Sequence, residues 1–339
     1  MAARLTGSKG WWVLLAVAAV VAALLTLGDV RLASSQAVTL TAVAVEGPVP
    51  LDDPNAAVWD EAMPVAVPLS AQTVARPMGG TIRSLTARAL HDGETLFVRV
   101  EWDDATQDLS ANAVQEFRDA VAVELPSEVG ATVPSFCMGQ LNARVNIWHW
   151  KADWQAAVDG SFVSLKDTYP NMWADLYPFQ EDVTYNPGLD AGNPLSVVER
   201  TTPVENLVAG GFGSLTSADV QPVQGVGRWQ GDKWRVLFAR SLKVEEEGLT
   251  QLEPGVATNI AFAVWDGSAG ERDGQKSVSQ FVDLELQGAP PPAAAPTPAE
   301  EGGSTNRLPL IIGILAASFV VVAGWMIIAR RLQLRGRGG

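Results

Sequence analysis

The stretch Pro134–Trp154, PSFCMGQLNARVNIWHWKADW, decides how the rest of the chain is read. A Phe, a Cys, a Met and a Gly lead into a run in which apolar and aromatic residues crowd around one histidine. Taken alternately, Val145, Ile147 and His149 share one face of an extended strand, while Asn146, Trp148 and Trp150 share the other. Both faces are mostly apolar, so the run reads as a strand buried on both sides. The soft sulfur of Met138 and the imidazole of His149 then stand near a large apolar volume.

A b-type haem asks for that combination: an apolar slot for the porphyrin and one or two axial donors drawn from Met, His, Lys, Cys or Tyr. Ordinary packing offers another account. A Met beside a Gly commonly fills a gap in a core, and a His on an apolar face is commonly a core residue. The residue pattern alone leaves both accounts open.

The chain has 339 residues, enough for one large or two medium domains. Its ends read as membrane segments. Trp11–Leu27 is continuously apolar and follows Arg4 and Lys9, which marks residues 1–28 as a signal peptide or an uncleaved anchor. Leu308–Ala329 carries no charge and is long enough to span a bilayer as a helix. Arg330, Arg331, Arg335 and Arg337 follow it, so the basic tail 330–339 is expected in the cytoplasm and the main domain, 29–287, on the extracytoplasmic side of the cell membrane. Residues 288–307, rich in Pro and Ala, read as a stiff linker.

Removing the six positive residues of the two tails takes the formal charge from −14 to −20. A surface this acidic argues against nucleic acid as a partner and suits a soluble exported domain. Cys137 is the only cysteine, which excludes an intrachain disulfide, a cysteine-ligated iron–sulfur cluster and the C-x-x-C-H attachment of c-type haem. With only His91 and His149, a histidine-rich metal site is excluded as well.

Along the exported part, turn signals punctuate short strands. Thr81–Leu90 and Thr95–Trp102 flank His91-Asp92-Gly93-Glu94, a hairpin signal that puts His91 at an exposed tip. Ala120–Leu125 is a third strand. Trp234–Leu242 alternates with Trp234, Val236, Phe238, Arg240 and Leu242 on one side, Val256–Trp265 is strongly apolar, and Ser277–Leu286 alternates again. Between them, Trp154–Val208 is rich in turn formers and reads as a long irregular insertion. The expected fold is mainly β, an antiparallel β-sandwich ectodomain flanked by N- and C-terminal membrane helices.

Several motifs in order then narrow the reading. They are Ala87–Gly93 (ARALHDG), Glu101-Trp102-Asp103-Asp104, Asp119–Val123, Phe136-Cys137-Met138-Gly139, Trp148–Ala152, Trp234–Arg240 and Ala261–Ser279 (AFAVWDGSAGERDGQKSVS). Together, over roughly Val74–Leu286, the chain resembles the haem-binding (gamma-type) subunit family of ethylbenzene dehydrogenase, with relatives in dimethyl sulfide dehydrogenase, chlorate reductase and selenate reductase. The resemblance implies a β-sandwich holding one haem b non-covalently between a Met and a Lys. It also implies electron exchange with iron–sulfur and molybdenum (molybdopterin) oxidoreductase subunits or membrane electron carriers. Met138 matches the family methionine. The lysine does not carry over by position, and Lys233, beside Trp234, is the first candidate for it, with His149 as the alternative second donor. Lys276 lies in a matched motif but reads as a surface-loop residue.

Two functions of different class remain. One is a membrane-anchored b-type cytochrome subunit that transfers electrons and catalyses no bond chemistry itself. The other is a cofactor-free cell-surface binding module for carbohydrate or adhesion, with exposed tryptophans as a platform. No G-x-S-x-G, H-E-x-x-H or P-loop supports an enzyme.

Overall fold

A computed structural model describes residues 38–288 apart from 75, 174–186, 198 and 247. The two apolar runs expected to meet the membrane lie outside the described residues. No helix of the described residues is long and apolar enough to cross a membrane.

In chain order the strands are β1 (Thr39–Ala44), β2 (Val65–Pro68), β3 (Ser70–Ala71), β4 (Ser84–His91), β5 (Thr95–Asp103), β6 (Ala120–Pro126) and β7 (Val145–Lys151). A short helix, α1 (Ala152–Val158), follows, and then β8 (Val204–Ala209), β9 (Thr216–Ser217), β10 (Gln224–Trp229), β11 (Lys233–Ser241), β12 (Ala257–Trp265), β13 (Ser277–Val278) and β14 (Val282–Leu286). One layer runs β10-β11-β5-β4-β1-β14 and the other β12-β6-β7-β8-β9. Strand β12 joins them: Ala257–Ile260 pairs with β14, and Ala261–Trp265 pairs with β6.

The inner faces meet in an aromatic core. Trp150 of β7 stands edge-on to Trp234 of β11 with centroids 4.9 Å apart, Trp234 stacks on Trp102 at 6.3 Å, and Trp148 tilts against Phe238 at 6.4 Å. Val121 and Val123 of β6 and Val98 and Val100 of β5 fill the same core. The alternation expected from Trp234 to Leu242 therefore points inward as a set. Its one polar member, Arg240, is buried. Its guanidinium lies 5.0 Å from the Trp148 ring centroid and donates to Asn146 Oδ1 at 3.1 Å and to the Thr250 carbonyl at 2.5 Å. Burial lowers its pKa to about 10, so it stays charged at neutral pH.

Three expectations need correction. The sheet is mixed, because β1 runs parallel to both β14 and β4. Parallel neighbours need a long return, and the Pro-rich segment between β1 and β4 supplies one. Ser277–Leu286 is two strands, not one: β13 pairs with β12 in the second layer and β14 lies in the first, with exposed Gln280 where the chain changes layers. His91 is not at an exposed tip. It closes β4 and is 3 % exposed, while the turn is Asp92-Gly93-Glu94, with Gly93 at φ 93° and Asp92 Oδ1 accepting from the Glu94 and Thr95 N–H groups.

Asp119, just before β6, ties the layers together. Its Oδ2 accepts from the Asp108 N–H at 2.8 Å and the Trp234 indole at 2.9 Å, and its Oδ1 accepts from the Gly267 N–H at 2.9 Å. Asp104 and Asp266 offer oxygens within 4.8 Å of it. Burial, reinforced by the Asp104 carboxylate, pushes the Asp119 carboxyl up to about 7, against three hydrogen bonds that favour the ion. From about pH 4 to about pH 7 the unfolded chain has released this proton and the folded chain keeps it. The contribution of Asp119 to stability therefore falls as pH rises through that window and levels off above it, with a slope of at most about 1.4 kcal/mol per pH unit. Urea denaturation of the wild type and of Asp119→Asn, which cannot ionise, isolates this contribution from those of other buried groups: the stability of the wild type relative to the variant should fall between about pH 4 and about pH 7 and stay level above.

Candidate cofactor cavity

The outward face of β7 carries Val145, Ile147 and His149, and the neighbouring strands complete a floor with small residues. Ala120 and Ala122 on β6 and Ala263 on β12 point the same way as Leu207 of β8 and Trp265 of β12. Strand geometry explains this: Val121 and Val123 alternate inward to the core, so the alanines between them face outward. Methyl groups leave the floor low and flat. Loops from 111–118, 137–138, 212–215 and 271–276 rise around it and enclose about 690 Å³, within the range of small-molecule sites.

Met138 enters from the loop between β6 and β7 and packs against the floor. Its φ of 72° is an uncommon conformation for a residue with a side chain, and the loop enforces it. The Met138 carbonyl accepts from the Gly211 N–H at 2.9 Å, and the next residue, Gly139, at φ 74°, donates to the Ser135 carbonyl at 2.8 Å. A Cβ on Gly139 would lie 2.8 Å from the Ala143 carbonyl oxygen, so the turn requires glycine there.

His149 stacks on Trp265 with centroids 4.7 Å apart. Its Nε2 is buried and has no hydrogen-bond partner among the described residues. Burial, and then the charges of Lys151, Arg118 and Lys276, push its pKa well below the usual histidine value, so the ring is neutral. Lys276 also lines the cavity, its Nζ 4.8 Å from the Trp265 ring centroid. Glu124 of β6 lines it as well, and its Oε1 is likewise buried without a hydrogen-bond partner among the described residues. Burial raises the Glu124 carboxyl and lowers the Lys276 ammonium, each opposed by the attraction of the other. Cys137 lines the same space, and burial pushes its thiol up.

The structure thus brings Met138 and His149 together and adds Lys276. Lys233 is elsewhere. It begins β11 in the other layer, is paired with Asp103 and lies 3.8 Å from Glu101, and it does not line the cavity. The tightening of its ammonium by Asp103 raises its pKa. The reading of Lys276 as a surface-loop residue is also corrected, since its turn folds back over the floor. The residues that sequence reasoning missed are Glu124 and the alanine floor. Their signal was the alternation of Ala with Val in Ala120–Val123, which marks one face as bulky and the other as open.

A thioether, an imidazole and an amine lining one largely apolar cavity with a flat floor suit a planar metallocofactor, and His149 Nε2 and Glu124 Oε1 are polar atoms that a bound group could meet. Residues 56–277 match the ethylbenzene dehydrogenase family, and this span contains Met138, His149 and Lys276. The chain belongs to that family. It is 26% identical over 230 residues to a protein of Haloferax mediterranei named as a respiratory nitrate reductase heme subunit, covering 67% of this chain and 66% of that one. It is 28% identical over 273 residues to the chlorate reductase gamma subunit of Ideonella dechloratans, covering 74% of this chain and 92% of that one. It is also 28% identical over 220 residues to the dimethylsulfide dehydrogenase gamma subunit of Rhodovulum sulfidophilum, covering 62% of this chain and 64% of that one. The chain therefore spans just under two thirds of the Haloferax and Rhodovulum proteins. The ethylbenzene dehydrogenase likeness seen in the motifs is the likeness that the match over residues 56–277 returns.

If the low floor is what admits a planar ligand, then Ala122→Phe should obstruct it. Titration of the full-length protein with haemin should show uptake weakened by at least about tenfold, or about 1.4 kcal/mol. The melting temperature of the haem-free protein should stay within a few degrees of wild type, because the added ring fills existing space.

Proposed function

We propose that this ethylbenzene dehydrogenase family member is a membrane-anchored b-type cytochrome subunit that holds one haem b non-covalently in the outer-face cavity, where Met138 and Lys276 would hold its iron. The observation that carries the reading is the meeting of a thioether and an amine on the walls of one apolar, flat-floored cavity. Lys276 takes the place first considered for Lys233, which is held by carboxylates in the opposite layer. Lys276 is preferred to His149 because it sits on a turn between β12 and β13 and has a flexible stem. The His149 ring is fixed to the floor by its strand and its stack on Trp265. Burial helps in a second way: it favours the free amine of Lys276, and only the free amine has a lone pair to donate.

Bound haem supplies a one-electron couple, and a methionine donor raises its potential. The chain's own contribution is to bind, orient and exclude water. The floor presents apolar surface to the ligand, Met138 is pre-set by its turn, and Glu124 offsets the Lys276 charge while the amine is protonated. The two apolar runs in the sequence and the arginines after the second support a domain on the extracytoplasmic side of the cell membrane, with the C-terminus cytoplasmic. The names of the chlorate reductase and dimethylsulfide dehydrogenase relatives support an oxidoreductase complex as the redox partner, and iron–sulfur and molybdenum subunits are the partners we infer. Against a carbohydrate-binding alternative, Trp59, Trp102, Trp148, Trp150 and Trp234 are fully buried, and the strongly exposed Trp173 is a single ring, not a platform of several.

Full-length protein in detergent, supplied with haemin, should show a Soret band that sharpens on reduction; a folded protein that stays colourless refutes the proposal. Met138→Ala should shift the reduced spectrum and lower the midpoint potential. Lys276→Ala should alter the spectrum, whereas Lys233→Ala should leave it unchanged and cost only about 0–1 kcal/mol of stability, as for other exposed ion pairs.

A further inference from the structure

A lysine in a polar, glycine-rich turn ordinarily extends into solvent, yet the backbone around Lys276 is clamped from both sides. Its N–H donates to the Met78 carbonyl at 3.3 Å, and its carbonyl accepts from the Gln72 N–H at 3.2 Å. Gly79, at φ 71°, lies so close that a Cβ there would stand 2.3 Å from the Lys276 nitrogen. Segment 78–80 therefore presses on the Lys276 backbone as only glycine allows.

One side chain holds that segment in place. Glu271 is 3 % exposed. Its Oε1 accepts from the Gly80 N–H at 2.6 Å, the Thr81 N–H at 2.9 Å and the Thr81 hydroxyl at 3.0 Å. Its Oε2 accepts from the Asp266 N–H at 3.2 Å, and its own N–H donates to the Asp266 carbonyl at 3.1 Å. One carboxylate thus ties the β12–β13 turn, which carries Lys276, to the segment that packs against the Lys276 backbone. Four donors on one buried carboxylate fix its position far better than a single surface contact would.

We propose that Glu271 is the positioning residue for Lys276: through Gly79-Gly80 it sets where the lysine backbone stands, and so whether the amine reaches into the cavity. The proposal rests on the reading of Lys276 as an axial donor. Glu271 itself is not proposed as a donor.

The test uses the full-length protein in detergent, loaded with haemin and also haem-free. Glu271→Ala should convert part of the low-spin ferric spectrum to a high-spin one and speed haemin dissociation by about tenfold. In the haem-free protein, acylation of Lys276 by an amine-reactive reagent, followed by mass spectrometry, should become faster. Glu271→Gln keeps an acceptor oxygen for Gly80 and Thr81 and should restore the wild-type spectrum. Glu271→Asp, one methylene short, should show the same changes to a smaller degree and decides the matter if the alanine variant does not fold. If Lys276→Ala leaves the low-spin spectrum intact, the donor assignment fails and the positioning role fails with it. If Lys276→Ala changes the spectrum while folded Glu271 variants keep the wild-type spectrum and acylation rate and lose only thermal stability, the positioning role alone is overturned.

Discussion

Strand β7 has to bury both of its faces, and the two burials differ in kind. Inward, Trp148 and Trp150 meet Phe238 and Trp234 across the sandwich and fill the space between the layers. Outward, Ile147 and His149 lie among alanines, and the face is roofed by loops instead of a third layer. Close packing inside gives the sheet its rigidity. Incomplete packing outside gives it a cavity. The same alternation along β6 and β12 produces both results, so the site needs no separate structural device beyond the loops that cover it.

The charges near this floor follow from that enclosure. Lys151, at the end of β7, is buried beside Glu205 of β8, and Ser217 donates to the same carboxylate. Burial pulls the Lys151 ammonium down to about 8, with Glu205 opposing the shift. Glu124 and Lys276 form a second opposed pair inside the cavity. His149 stands among these cations and is neutral for that reason as well as for its burial. A buried ion pair such as Lys151–Glu205 is costly to assemble and costly to break. Such pairs fix the electrostatic setting of the cavity before any ligand enters it.

The topology then selects which side chains meet. Strand β12 bends from one layer into the other, and the turn after it brings Lys276 over the face that Met138 approaches from the β6–β7 loop. Lys233 has a comparable apolar neighbour in Trp234, but its strand lies in the opposite layer, where Asp103 and Glu101 are its nearest charges. Proximity to a tryptophan in sequence favoured Lys233 and did not decide which lysine lines the cavity. The layer in which each strand lies did.

The sequence by itself determined the two-sided burial of Val145–Lys151, the sandwich class, the inward set from Trp234 to Leu242 and the family. Each depends on a local rule, the two-residue period of an extended backbone or a short motif that survives in order. Only the tertiary structure decided that β1 runs parallel to its neighbours, that His91 is buried, that Ser277–Leu286 divides between layers, and that Lys276 shares a cavity with Met138. Those outcomes depend on which strands become neighbours and which loop crosses which face. Such contacts join residues far apart in the chain, and no alternation within a single segment encodes them.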